Sequence, residues 1–112
     1  MATTDQVPSL QGWDICHRAE SEWTAWGANG DARAKVLGAA DGYTVALIEA
    51  PAGYKTAPHE HNHAEFFYLL DGAIRNQGQT LVSGDGYAAA AGSVHSDFEV
   101  QIPSSYLSIF RL

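Results

Sequence analysis

The sequence predicts an all-β fold, either a sandwich or a barrel, in a single domain. Short apolar or alternating runs recur along most of the chain, and each run is closed by Gly, Pro, Asp or Ser. The Ala-rich run at 88–91 lies between Gly86 and Gly92 and is too short for a helix. With 112 residues, of which 46% are hydrophobic and 17% charged, the chain has the size and composition of one globular domain.

The predicted elements differ between the two ends of the chain. The first 32 residues show no sustained period. We expect them to form a segment that packs on the fold or exchanges with that of a second chain. The remaining residues, 33–112, are expected to form the barrel. Within them, the alternating runs predict strands at 34–37, 43–49, 65–70, 79–82, 87–89, 98–102 and 106–110.

Charge and cysteine content exclude several functional classes. Six Lys and Arg residues stand against 13 Asp and Glu residues, and the net charge of −7 repels a phosphate backbone, which argues against nucleic acid as a partner. The single Cys16 allows no intrachain disulfide, which favours the reducing cytoplasm. No apolar run approaches the ~18 residues of a membrane helix. Residues 1–8 lack the basic and apolar order of a secretion signal.

A cluster of histidines predicts a metal site. Three of the five histidines fall within five residues, at His59, His61 and His63, and Glu65 follows. In an extended strand His59 and His61 point to the same side, roughly 7 Å apart, and Glu65 shares their parity. Burying these groups without a ligand would leave several polar atoms unpaired. Imidazoles with a carboxylate suit a divalent transition metal, namely Zn, Fe, Mn, Ni or Co.

Two motifs carry a family resemblance. Gly53, His59, His61, Glu65 and Gly72 match every fixed position of the first motif of the cupin superfamily, and the stretch from Gly84 to His95 fits the spacing of the second. The chain departs from that second motif at Ala90, where the family has Pro, and at Glu99, where it has Asn. These departures bear on turn rigidity and pocket polarity, since neither position is a metal ligand.

The resemblance implies a fold, a ligand set and a range of activities. The fold would be a small antiparallel double-sheet jelly-roll barrel. One divalent metal would be held by His59, His61, Glu65 and His95, with open coordination positions for a small-molecule substrate. Dioxygenase-type chemistry on an oxygenated organic compound comes first, and cyclase, isomerase or lyase chemistry next. The alternative is a ligand-sensing or oxidant-sensing module, because residues 65–72 also resemble cupin domains attached to anti-sigma factors. A homodimer is expected, since open sheet edges invite pairing.

Two further residues are candidates for catalysis. His63 falls in the turn between the motif strands, where it serves as an alternative ligand, as a proton shuttle or simply as a solvent-facing residue. Glu99 would share the metal's face if the strand after His95 stays regular, and it could then act as a general base. The alternative for Glu99 is a polar outer rim. Phe67 and Leu69, in parity with Glu65, are predicted to line the pocket.

Overall fold

A computed structural model describes residues 7–111, and these form an almost entirely β structure. One short 3-10 turn, Arg18–Glu20, precedes the strands. The strands are β1 (Thr24–Trp26), β2 (Ala32–Ala40), β3 (Tyr43–Ala50), β4 (His59–Glu60), β5 (Glu65–Asn76), β6 (Gln79–Val82), β7 (Gly86–Ala89), β8 (Val94–His95) and β9 (Phe98–Arg111). The predicted all-β class is therefore confirmed.

The strands form one large and one small antiparallel sheet. The large sheet has the order β1-β2-β3-β9-β5-β6, with β7 also paired to β5, and the small sheet pairs β4 with β8. The fold is an antiparallel jelly roll, as predicted. Among the described residues, however, the ladders do not join into a continuous ring, because β1 and β6 end the path and β4 and β8 pair only with each other. The β-barrel of the prediction is thus an open one.

Strand β5 is longer than the sequence indicated. The sequence predicted a strand at 65–70 that ends before Asp71 and Gly72, and this end is wrong: the strand continues to Asn76 and pairs with β9 from Phe66 onward, with register shifts around Asp71 and Ala73. Gly72 has a φ of 116°, which L side chains rarely adopt. At this irregularity the alternation of β5 shifts by one residue, so that odd-numbered side chains point inward before it and even-numbered ones after it. Phe67 and Leu69 are buried before it, and Ile74 is buried after it.

Strand β9 fuses two predicted strands into one. It runs from Phe98 to Arg111 between β3 and β5 and pairs with both. Pro103 lies between Ile102 and Ser105, in the interval where the β5 ladder shifts register, so the N–H that proline lacks is not needed there. The strand therefore passes through the proline without ending.

The core lies on the inner face of the large sheet. Its alternation is clearest in β3, where Ala46, Ile48 and Ala50 are buried and the residues between them are not. Val100, Ile74, Leu69 and Ile48 are the largest fully buried side chains. Leu69, predicted to line the pocket, lies in this core. The full set is Ala32, Ala34, Ala46, Ile48, Ala50, Tyr54, Phe67, Leu69, Ile74, Phe98, Val100 and Tyr106.

The N-terminal region packs on the large sheet through a strand and through side-chain contacts. Strand β1 pairs with β2, and the Asp14 carboxylate accepts a hydrogen bond from the Ala39 amide at 2.9 Å. Most residues of the proposed non-secretory stretch 1–8 lie outside the described range, so the structure does not address that expectation. None of the helices described over residues 7–111 has the length and hydrophobicity needed to cross a membrane.

Candidate metal centre

The small sheet brings three histidines together. His59 on β4 is paired directly with His95 on β8, and the backbone of His61 exchanges hydrogen bonds with Ser93 and Gly92 just beyond that pair. One ring nitrogen from each of His59, His61 and His95 lies within 4.8 Å of the other two. The three rings are separated by 5.1–5.3 Å between centroids. These residues form a group that could hold one metal ion.

Acceptors on the outside of the cluster hold two of the rings. The Nδ1 of His59 lies 2.8 Å from the carbonyl oxygen of Ala57, which can only accept a hydrogen bond. The Nε2 of His95 is hydrogen-bonded to the Oδ1 of Asn76. Each ring thus donates from one nitrogen and keeps the lone pair of the other, which is the usual way that outer partners orient metal-ligating histidines.

The tautomer of His61 is set by a short chain of hydrogen bonds. The Ser93 hydroxyl donates to the carbonyl oxygen of Ala90 at 2.6 Å. Its oxygen is 2.9 Å from Nδ1 of His61 and must therefore accept the Nδ1 proton. In the neutral ring this leaves the lone pair on Nε2, the nitrogen that faces Glu65.

Three buried polar atoms at this centre have no hydrogen-bond partner. They are Nε2 of His61, Oε2 of Glu65 and Nδ1 of His95. The first two are only 2.7 Å apart but do not meet hydrogen-bond geometry, and Oε1 of Glu65 accepts a bond of 3.4 Å from Ser108. Glu65 itself lies outside the mutual 4.8 Å grouping of the histidines. Unpaired buried lone pairs are costly, and a bound cation would satisfy them. The donor set therefore fits a metal.

Burial also favours the ligating form of His95. The pKa of its imidazole is lowered, mainly because burial disfavours the charged ring, and the nearby His59 and His61 act in the same direction. Glu65, whose influence is second only to that of burial, opposes this shift, and Asp97 opposes it more weakly. The neutral imidazole is the form that binds metals.

The cluster opens into an aromatic cavity of about 440 Å³. Its volume lies within the ~300–1,000 Å³ typical of small-molecule sites. The histidines, Glu65 and the turn containing His63 line one end, and Phe67 lines the wall as predicted. The aromatic lining residues are Trp26, Tyr54, Phe67, Tyr87, Phe98, Tyr106 and Phe110.

Three tyrosines of the lining are buried phenols. Desolvation raises the pKa of Tyr54, Tyr87 and Tyr106 above the usual value of 10.0. The charge of Glu65 raises the pKa of Tyr87 further, and Tyr54, Tyr87 and, least, Glu65 raise that of Tyr106. At neutral pH these side chains are therefore protonated and can donate hydrogen bonds.

Glu99 does not lie on the face of the histidine cluster, which was one of the two alternatives for this residue. It forms an ion pair with Arg75 at 2.8 Å, beside a second pair between Arg75 and Asp97 at 2.9 Å, and it does not line the cavity. Residues Ser96 and Asp97 interrupt the strand between β8 and β9, so the alternation counted from His95 does not continue. Phe98 takes the inward position instead, and Glu99 faces Arg75.

His63 lies where the sequence predicted, in the bend between β4 and β5, and it lines the cavity.

Two residues that form hydrogen bonds with the clustered histidines, Ser93 and Asn76, were not predicted. Ser93 lies inside the second motif, two residues before His95, and only this position in the sequence could have indicated its role. Asn76 had no signal, because it reaches His95 only after the irregularity at Gly72 has reversed the strand's facing.

Comparisons with solved structures show the same fold in proteins of low sequence identity. A candidate acetylacetone dioxygenase from Methylibium petroleiphilum PM1 is 19% identical with a TM-score of 0.77, covering 98% of this chain and 81% of that one. An acetylacetone dioxygenase from Acinetobacter johnsonii is 18% identical with a TM-score of 0.65, covering 99% and 75%. A chain from Rhodobacter sphaeroides SigE in complex with the anti-sigma ChrR is 20% identical with a TM-score of 0.69, covering 84% and 51%.

Sequence comparison identifies the family. No curated protein matches the chain. The family profile of the ChrR Cupin-like domain matches residues 11–111, almost the whole chain and both motifs. This agrees with the cupin resemblance of the sequence and with the fold of the structural neighbours. The chain therefore belongs to the ChrR Cupin-like domain family.

Proposed function

We propose that this protein is a metal-dependent enzyme that acts on a small oxygenated organic substrate, with dioxygenase-type chemistry first and cyclase, isomerase or lyase chemistry next. The observation that carries the proposal is the orphaned set of buried atoms on His61, Glu65 and His95, which opens directly into an apolar cavity. A purely structural site would be closed, whereas this one adjoins space for a substrate.

The proposed ligands are His59, His61, Glu65 and His95. A bound divalent ion would supply Lewis acidity and positions for substrate oxygens. The chain's own contribution is to fix the ring orientations, to exclude water with aromatic walls and to hold a protonatable group at the rim. His63 is the proposed rim group, since it lines the cavity without being one of the three clustered histidines.

Metal analysis tests the ligand set first. Protein purified without added metal should contain close to one Fe, Mn, Ni, Co or Zn per chain, and His61→Ala should lose it. His17→Ala, which changes an exposed histidine far from the motifs, is the matched control and should keep the metal. An unchanged metal content in His61→Ala, or no metal in either protein after reconstitution, would reject the site.

Turnover is the second test. Oxygen uptake by the metal-loaded protein on addition of acetylacetone or catechol would support dioxygenase chemistry. Zinc as the bound metal, with product formed but no oxygen consumed, would favour the non-redox reactions. We expect His63→Ala to retain the metal and to lower turnover, because the change removes a proton carrier but no ligand.

A sensory module is the second candidate function. The ChrR Cupin-like profile and the neighbour taken from an anti-sigma complex favour it. It requires a protein that binds metal, turns over no compound of a broad panel and changes its metal content on exposure to hydrogen peroxide. Turnover of any compound by the metal-loaded form would count against it.

The outer face of β5 supports the proposed homodimer. Phe66, Tyr68 and Leu70 are 44%, 47% and 43% exposed, and on β9 they adjoin Leu107 and Ile109. A contiguous apolar strip of this kind marks an interaction surface. Light scattering should give twice the chain mass of 12.0 kDa, and Tyr68→Lys should give the monomer mass. A monomeric parent protein would contradict the dimer.

The proposed location is the cytoplasm. Cys16 is the single cysteine and is a free thiol, so the chain has no internal disulfide to protect it in an oxidising compartment. Cell fractionation with an antibody against the chain tests this, and recovery outside the cytoplasm would contradict it.

A further inference from the structure

The wall of the cavity is continuous with the metal centre. Phe67 stacks on Tyr87 with a centroid distance of 4.7 Å and an interplanar angle of 8°, and Tyr106 approaches Phe67 at 4.8 Å. Both Tyr87 and Phe98 present their rings edge-on to His95, at 6.0 and 5.6 Å. A molecule that touches the histidine cluster is therefore in contact with aromatic rings as well.

Polar groups are distributed unevenly around the same space. Most of the polar lining belongs to the stretch 56–65 at the metal end, and Arg111 and Ser108 come from β9. Apart from these residues and His95, the lining consists of aromatic side chains and Ile48. A flexible molecule with many hydroxyl groups would leave most of them unpaired against these walls, whereas a flat apolar molecule would gain stacking contacts.

Two tyrosines of the cavity lining have hydroxyls without protein partners. They are Tyr87 and Tyr106, and no hydrogen bond described within residues 7–111 involves either hydroxyl. A protonated phenol in an apolar wall can donate a hydrogen bond, and the protein provides no acceptor for it here. Oxygen atoms on a bound molecule can supply that acceptor close to Glu65.

We propose that the cavity selects a planar, conjugated compound with two neighbouring oxygen functions, such as an aryl-substituted β-diketone or a catechol, over acyclic polyhydroxylated compounds. The inference rests on the proposed function, because the metal end provides the place for the two oxygens. Tyr87 and Tyr106 donate hydrogen bonds to those oxygens, and the aromatic side chains that line the cavity contact the conjugated plane.

Calorimetric titration of the metal-loaded protein tests the selectivity. The probes are 1-phenylbutane-1,3-dione, acetylacetone and gluconate, with the metal content measured after each titration. We expect the phenyl diketone to bind at least about tenfold more tightly than acetylacetone, because only the former has a ring to stack, and gluconate to bind weakest. Equal affinities for the two diketones, or tighter binding of gluconate, would overturn the inference.

Conservative variants test the phenol donors. Tyr87→Phe and Tyr106→Phe should each weaken binding of the phenyl diketone about threefold to tenfold while retaining the metal. Tyr68→Phe, at an exposed tyrosine on the outer face, is the matched control and should not change the affinity. Unchanged affinity in both cavity variants would reject the phenol donors.

The two proposals fail in different ways. Tight, ring-selective binding without turnover of any probe would reject the enzyme and leave the cavity selectivity standing. Turnover and metal binding without preference for the conjugated probe would leave the enzyme standing and reject the selectivity.

Discussion

Ser93 fixes the orientation of His61 by accepting its Nδ1 proton at 2.9 Å while donating its own proton to the carbonyl of Ala90. Neither partner of Ser93 can exchange roles, since the carbonyl cannot donate. The direction of the lone pair on His61 is thus determined from outside the metal centre.

Replacing Ser93 with Ala should weaken metal binding about tenfold to one-hundredfold without unfolding the chain, because the ring loses its outer partner. Competition with a metal chelator measures the affinity. Ser105→Ala, which removes a hydroxyl from β9 away from the centre, is the matched control. Equal affinities in all three proteins would show that Ser93 has no orienting role.

Asn76 should fix the tautomer of His95 in the same way. In metal-free protein we expect nitrogen NMR to show the proton of His95 on Nε2, where the Asn76 carbonyl oxygen accepts it. Asn76→Ala should mix the two tautomers and lower the metal affinity about tenfold. Asn29→Ala, in the exposed turn after β1, serves as the control. A single unchanged tautomer in Asn76→Ala would contradict the assignment.

Gly72→Ala should destabilise the fold strongly. The added Cβ would overlap with Oγ and Cβ of Ser104, and the backbone φ of 116° at Gly72 disfavours any L side chain. Strain and overpacking together should cost about 3 kcal/mol or more in the free energy of unfolding, measured with urea. Gly78→Ala also has a positive φ but meets no atom within 4 Å, so it should cost only about 1 kcal/mol. Similar costs at both sites would contradict the close contact.

Alkaline pH should unfold the protein through its buried phenols. Because the folded-state pKa of Tyr106 is raised above its unfolded value, its contribution to stability is complete below about pH 10 and is lost as the pH rises further. Near-UV absorbance should show part of the phenolate signal appearing together with the loss of circular dichroism. Tyr106→Phe should remove one phenolate from that joint step. Ionisation of all five tyrosines before any structural change would contradict this.

The sequence predicted those parts of the molecule that local alternation determines. Strand β3 was expected at 43–49 and is found at Tyr43–Ala50, because Ala46 and Ile48 alternate regularly with less buried neighbours. The two motifs also identified the histidine cluster, because His59 and His61 lie two residues apart in the first motif and His95 lies at a set distance from Gly84 in the second.

The errors share one physical cause, which is the loss of alternation at an irregularity. A glycine after an aspartate is typical of a turn. The sequence does not show that Gly72 lies inside β5, where the close approach of Ser104 leaves no room for a Cβ. The bend before Phe98 shifted the parity by which Glu99 was assigned to the metal's face. Local patterns report alternation within a run and cannot report how one run is joined to the next.

The position of β9 has a consequence for how the chain reaches its folded state. This strand lies between β3 and β5 in the large sheet, yet it is the last strand in the sequence. Until it is synthesised, β3 and β5 both have unpaired edges and their apolar faces stay exposed, a condition that favours aggregation. Folding of the large sheet therefore waits until β9 has been synthesised and depends on contacts between distant segments, which slows it. A nascent chain that pauses before Phe98 already contains its metal ligands and both strands of the small sheet, but it lacks the strand that joins β3 to β5.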